Sequence, residues 1–149
     1  MSERAPSRSA AVLTYLAFDY GLKRVGVATG NSLTRQAQPL QTIAAEGDAR
    51  FARIGQLVAE WQPQALVVGV PFHPDGAEHE NTARARKFGR QLGGRFHLPV
   101  HEVDERYSTT EAQSIGARDL DAASAAILLQ QYFATLDAAA APSTDSPSA

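Results

Sequence analysis

Apolar residues fall along the chain in two rhythms. Short runs of strand length occur at Val12–Tyr20, Arg24–Gly30, Gln38–Ile43, Ala65–Val70 and Pro99–Glu105, set apart by polar or Gly- and Pro-containing segments. Elsewhere the spacing is helical. Phe51, Ile54, Leu57, Val58 and Trp61 share one face of a first helix, with Asp48 as its expected cap and Pro63 as its stop. Ala85, Phe88, Leu92 and Phe96 form the stripe of a second helix, from about Glu80 to Phe96. Ser108-Thr109-Thr110-Glu111 has capping-box spacing and predicts a short third helix. Ala122, Ala125, Ala126, Leu129, Phe133 and Leu136 mark the core face of a last helix, from about Leu120 to Asp137.

The order β-β-β-α-β-α-β-α-α predicts an α/β layered domain, a mixed sheet with helices on both faces. The first two strands read as a hairpin across the turn at Gly21–Lys23. The unbroken run ALVVGV at Ala65–Val70 reads as a strand covered on both faces. Residues 1–11 read as a flexible leader and residues 138–149, AAAAPSTDSPSA, as a disordered tail, because neither offers side chains for a core. That leaves residues 12–137 as the folded domain.

Composition then removes several classes of function. With no cysteine in 149 residues, disulfides, thiolate metal sites and thiol nucleophiles are excluded. The formal net charge of −2 means that any nucleic-acid surface is a local patch. The run Ala10–Phe18 is interrupted by Thr14 and has no convincing cleavage site for export. Nothing reaches the ~18 apolar residues of a membrane span. The expectation is a cytoplasmic protein without a membrane partner.

The stretch FDYGLKRVGVATG at residues 18–30 carries the most chemistry. Asp19 closes an apolar strand, Gly21 reads as room for a substrate backbone, and Lys23 and Arg24 add positive charge. Two further acids stand at element ends, Glu105 after the fifth strand and Asp121 at the start of the last helix. Three convergent carboxylates repel one another unless they bind cations. An all-oxygen set favours Mg²⁺ or Mn²⁺, and two such ions would serve phosphodiester hydrolysis by activating a water and stabilising the leaving oxygen. Taken singly, each acid also has a structural reading: a turn cap for Asp19, an ion pair for Glu105, a helix-dipole partner for Asp121. Asp104 competes with Glu105, since strand neighbours face opposite sides.

The second helix carries Arg84, Arg86, Lys87, Arg90 and Arg95 with no acid among residues 84–95. With Lys23, Arg24 and Arg106 they can track a phosphate backbone, or they can form a solvated face. His73, His79, His97 and His101 are scattered and read as structural or surface residues, and Trp61 reads as core.

On these residues the chain resembles the YqgF family, also called RuvX, over about residues 13–136. The resemblance rests on FDYGLKRVGVATG, AQPLQTI at 37–43, VVGVPFHPDG at 67–76, RARKFGRQL at 84–92, LPVHEVDERYSTTEA at 98–112 and DAASAAILLQQYF at 121–133. It implies a ribonuclease H-like fold with a five-stranded mixed sheet whose second strand is antiparallel. It also implies a divalent-metal-dependent phosphodiesterase site of Asp19, Glu105 and Asp121, with Lys23, Arg24, Arg84, Arg86 and Arg106 on nucleic acid. The implied reaction is endonucleolytic processing of the 5′ end of precursor 16S ribosomal RNA, with Holliday-junction resolution as an alternative. Structured RNA or branched DNA is then the partner, for a monomer or a homodimer.

Two features depart from that pattern. RuvC-type enzymes carry an acid at the end of the fourth strand, where this chain reads Gly69-Val70-Pro71. The connector before Asp121 is short, with Arg118 its one cation between Gly116 and Leu120. Two further readings are an RNA-binding assembly factor without cleavage and a nucleotide-binding module. The latter would need a second domain to close over its ligand, for which 149 residues leave no room.

Overall fold

A computed structural model describes residues 12–73, 75–104 and 120–140. Its elements are β1 (Thr14–Tyr20), β2 (Val25–Asn31), β3 (Ala37–Ile43), α1 (Gly47–Trp61), β4 (Ala65–Val70), α2 (Thr82–Phe96), β5 (Val100–Asp104) and α3 (Leu120–Ala140). The five strands form one sheet in the order β3-β2-β1-β4-β5. β2 runs antiparallel to β1 and β3, whereas β1, β4 and β5 are parallel. This is the expected five-stranded mixed sheet with an antiparallel second strand. The helix expected from Ser108 lies outside the described residues. Among those described, no helix is long and apolar enough to cross a membrane.

Strand alternation divides the core into two layers. On one face Leu16 and Phe18 of β1, Val25 and Val27 of β2, and Leu66 and Val68 of β4 meet Phe51, Ile54 and Leu57 of α1 and Phe88 and Leu92 of α2. On the other, Tyr15 and Ala17 of β1, Ala28 of β2, and Ala65 and Val67 of β4 meet Ala125, Leu129 and Phe133 of α3. All six residues of ALVVGV are buried, as a strand covered on both sides requires.

Small residues let α3 lie unusually close to the sheet. A Cβ on Gly26 would sit 1.8 Å from the carbonyl oxygen of Asp121, and one on Gly30 would sit 3.0 Å from Leu129 Cδ2 and Phe133 Cε2. The helix answers with Ala122, Ala123 and Ala125, all buried. It also runs on to Ala140, three residues past its expected end, because alanine is the best helix former and nothing breaks the run.

Two local expectations change, and one buried residue was not foreseen. Asp48 does not cap α1: Glu46 holds the cap position without a side-chain bond, and Asp48 lies exposed in the first turn, 3.9 Å from Arg95. Trp61 is not core; it is 37 % exposed at the last residue of α1. Arg50 is buried instead, donating from Nε to Ala45 O (2.7 Å) and from an Nη to Leu22 O (3.0 Å), with its guanidinium 5.5 Å from the Tyr20 ring centroid. An arginine in the core escapes a hydropathy pattern because its stem packs as an apolar chain while its head takes backbone carbonyls.

Two measurements check this packing. Gly26→Ala forces α3 off β2 and is expected to cost about 3 kcal/mol in denaturant unfolding. Tyr132 packs 5.4 Å from Tyr15, and burial, then the Tyr15 charge and a Tyr15 hydrogen bond, raise its pKa from 10.0 to about 12. A raised phenol pKa stabilises the fold fully below the unfolded value and loses that contribution as pH climbs through the folded one. Stability is therefore expected to fall between about pH 10 and pH 12, and Tyr132→Phe should flatten that decline in a pH series of melts.

Candidate active site

Asp19 is the next-to-last residue of β1, the central strand. Alternation puts it with Tyr15 and Ala17 on the α3 face, half-buried. Its register partner on β2 is Gly26 and its partner on β4 is Gly69. The carboxylate is therefore flanked on both neighbouring strands by residues without side chains. It stands at the carboxyl end of parallel strands, beside the point where the sheet changes direction, where open α/β sheets gather functional groups.

Asp121 arrives from the other layer. The first turn of α3 rests on Gly26, so the backbone of Asp121 covers the register partner of Asp19. The helix thus brings the second predicted acid to the first. The Asp121 carboxylate accepts from Arg24 Nε at 2.7 Å, with side chains 62 % (Arg24) and 31 % (Asp121) exposed. Arg24 immediately precedes β2 and ends a tight turn: a Cβ on Gly21 would meet the Arg24 carbonyl oxygen at 2.6 Å. Gly21 therefore closes the turn expected at Gly21–Lys23. Arg50, by holding Leu22 O, braces the same turn from beneath.

Glu105 and Arg106 lie outside the described residues. The competition between residues 104 and 105 is nevertheless narrowed. Asp104 pairs with Val70 and alternates with Val100, which packs on the α1–α2 side, so Asp104 belongs to the face away from Asp19. Among the described residues no group of three His, Cys, Asp or Glu side chains is placed to hold a metal ion. Asp19 and Asp121 offer oxygen donors only, the donor type that suits a hard divalent cation.

The predicted cations separate into two groups. Lys23 is exposed in the turn after Asp19, and Arg24 is on Asp121. Arg84, in the first turn of α2 at the same edge of the sheet, is exposed and donates to Asn81 Oδ1 at 3.0 Å. Arg86 turns elsewhere: it lies 3.9 Å from Glu78 and 3.5 Å from Glu102, with its guanidinium 5.5 Å from the Phe72 ring centroid. Arg95 similarly covers the Phe51 ring at 4.1 Å. Part of the basic row on α2 thus supports the fold. The loop between β4 and α2 is braced as well. Thr82 Oγ1 donates to Pro71 O and accepts from the His79 N–H, and His79 Nδ1 accepts from the Asn81 N–H.

Sequence reasoning found both carboxylates but missed what joins them. The signal was present as glycine and alanine at alternate positions of β2 (Gly26, Ala28, Gly30) facing an alanine-rich helix. The Arg24–Asp121 pair, 97 positions apart in sequence, left no local trace.

A five-stranded mixed sheet in this order, with one acid ending its central strand and a second at the helix start laid over that strand's neighbour, has the ribonuclease H-like architecture. Solved structures agree on the fold. Thermus thermophilus RuvC in complex with a Holliday junction substrate superimposes with TM-score 0.57 at 16 % identity, covering 84 % of this chain and 96 % of that one. A second Thermus thermophilus RuvC structure gives 0.52 at 13 % identity. The chain belongs to the RuvX family, described as Holliday junction resolvase, whose model matches residues 13–135. Relatives bearing the name "Putative pre-16S rRNA nuclease" are 65 % identical over 128 residues in Albidiferax ferrireducens (86 % of this chain, 82 % of that protein) and 64 % identical over 131 residues in a Polaromonas species (88 % and 95 %). The chain is accordingly a nuclease, a hydrolase of phosphodiester bonds.

The partners of Arg86 separate a structural role from a phosphate contact. Arg86→Ala is expected to lower stability by about 1 kcal/mol while leaving the salt dependence of nucleic-acid binding unchanged. Lys23→Ala should do the reverse, reducing the slope of log affinity against log salt by about one.

Proposed function

We propose that the protein is a Mg²⁺- or Mn²⁺-dependent endonuclease acting on structured RNA, and that its substrate is precursor 16S ribosomal RNA. The observation that carries the reading is the convergence of Asp19 and Asp121 across Gly26 at the carboxyl edge of the sheet. The names of the relatives support the RNA assignment. Asp19, Asp121 and Glu105 would hold the metal. A divalent ion there supplies positive charge for activating a water and for the leaving oxygen. The chain's own residues do the remaining work. Asp19 is held by the central strand, so its carboxylate is oriented before substrate arrives, and Gly26 seats the helix start that carries Asp121. Lys23, Arg24, Arg84 and Arg106 hold phosphates along the edge.

Resolution of branched DNA is the second reading, favoured by the family's description and by the junction-bound RuvC neighbour. One assay decides between them: purified protein with Mg²⁺ or Mn²⁺ against a precursor-rRNA fragment and a four-way DNA junction. Cleavage of the RNA is expected, and Asp19→Asn should reduce it to background while circular dichroism and melting stay near wild type. Undiminished cleavage by that variant would remove Asp19 from the site. Cleavage of the junction alone would shift the substrate to DNA, and RNA binding without cleavage under either ion would leave a binding factor.

A further inference from the structure

We infer that Arg24 is an exchangeable counter-ion, resting on Asp121 in the cation-free protein and moving to a nucleic-acid phosphate when a divalent cation takes that carboxylate. The inference rests on the metal-dependent reading above and adds an order of events to it. Arg24 Nε donates to Asp121 Oδ2 at 2.7 Å, and the Arg24 side chain is the more exposed of the two. The guanidinium thus lies on the solvent side of the carboxylate, where a long side chain can swing outward without disturbing the core.

The backbone beneath it is fixed. Val25, the next residue, pairs with Tyr20 in the hairpin, and the turn is closed on Gly21. Arg50 shows what a structural arginine looks like in the same region: buried, and donating to two backbone carbonyls. Arg24, by contrast, sits on an ionisable group that has other work to do.

The electrostatics oppose simultaneous occupancy. A guanidinium in contact with Asp121 repels a dication approaching the same carboxylate, and Asp19, across Gly26, adds the negative charge that would draw the dication in. Moving Arg24 outward relieves that repulsion and leaves a cation at the rim suited to a phosphate oxygen. Divalent ion and nucleic acid would then favour each other's binding, because linkage is reciprocal.

The test is a Mn²⁺ titration of wild type and variants without nucleic acid, read by the electron paramagnetic resonance of free Mn²⁺. It is followed by binding of a short RNA hairpin at saturating Ca²⁺. Arg24→Gln, an exposed substitution compatible with folding, is expected to bind Mn²⁺ roughly tenfold more tightly than wild type. It should bind the hairpin more weakly, with the salt slope reduced by about one. Arg24→Lys keeps the charge and should keep the wild-type Mn²⁺ affinity. If Arg24→Gln binds Mn²⁺ no more tightly than wild type, or Arg24→Lys binds as tightly as Arg24→Gln, the exchange is refuted. Wild type that binds no Mn²⁺ at all overturns instead the metal-dependent reading on which the exchange rests.

Discussion

The contact between the first turn of α3 and Gly26 of β2 is the constraint on which the site depends. A helix normally rides on a sheet through interleaved side chains, which hold the two backbones apart. Here the peptide of Asp121 lies where a Cβ of residue 26 would be, so backbone meets backbone. That approach is possible only because the α3 face of the sheet is built from small residues: Gly26, Ala28 and Gly30 on β2, Ala17 on β1, Ala65 and Gly69 on β4. The larger Tyr15, Leu129 and Phe133 pack in the same layer beside Gly30 and Ala65, the register partners of Tyr15. Gly26 thus lets the start of the helix, with its acid, settle beside the end of the strand that carries Asp19.

The two faces of the sheet divide the charges between them. On the α1–α2 side, arginines complete the fold: Arg50 on backbone carbonyls, Arg86 between two glutamates and a phenylalanine, Arg95 over Phe51. On the α3 side, Arg24 faces a carboxylate next to a second carboxylate. The same residue type is therefore a structural cation in one layer and a counter-ion of the site in the other. Sequence position does not distinguish these roles, because the partners of Arg86 are 8 positions before and 16 after it, and the partner of Arg24 is 97 away.

What was legible in the chain follows from which interactions are periodic. The burial of Ala65–Val70 and the stripe Ala85, Phe88 and Leu92 could be read directly, because burial repeats with the geometry of strand or helix. Asp19 and Asp121 stood out because both acids fall at the ends of elements, although each alone has a structural reading. Trp61 misled because its spacing suits the α1 face while its place in the last turn leaves it at the layer's margin. The burial of Arg50 leaves no mark in the pattern, and neither Gly21 nor Gly26 shows in sequence the neighbour it accommodates. Steric needs of that kind arise only when distant segments touch, so an isolated sequence does not show them.

The two carboxylates are also supported by different kinds of stiffness. Asp19 belongs to a strand hydrogen-bonded on both sides, by β2 and β4, and has little freedom to move. Asp121 belongs to a helix start, where four backbone N–H groups lack helical partners and fraying is cheapest. The geometry between them is thus set by a rigid member and a soft one. Gly26 seats the soft member and Arg24 occupies its carboxylate, and both belong to the segment that leaves Asp19 and returns beside it in the hairpin. A single β-hairpin therefore supplies one acid, the seat for the other and the cation that neutralises it. This explains why so much of the chemistry is written into residues 18–30, and why α3 need contribute only one carboxylate and a small-residue face to complete the pair.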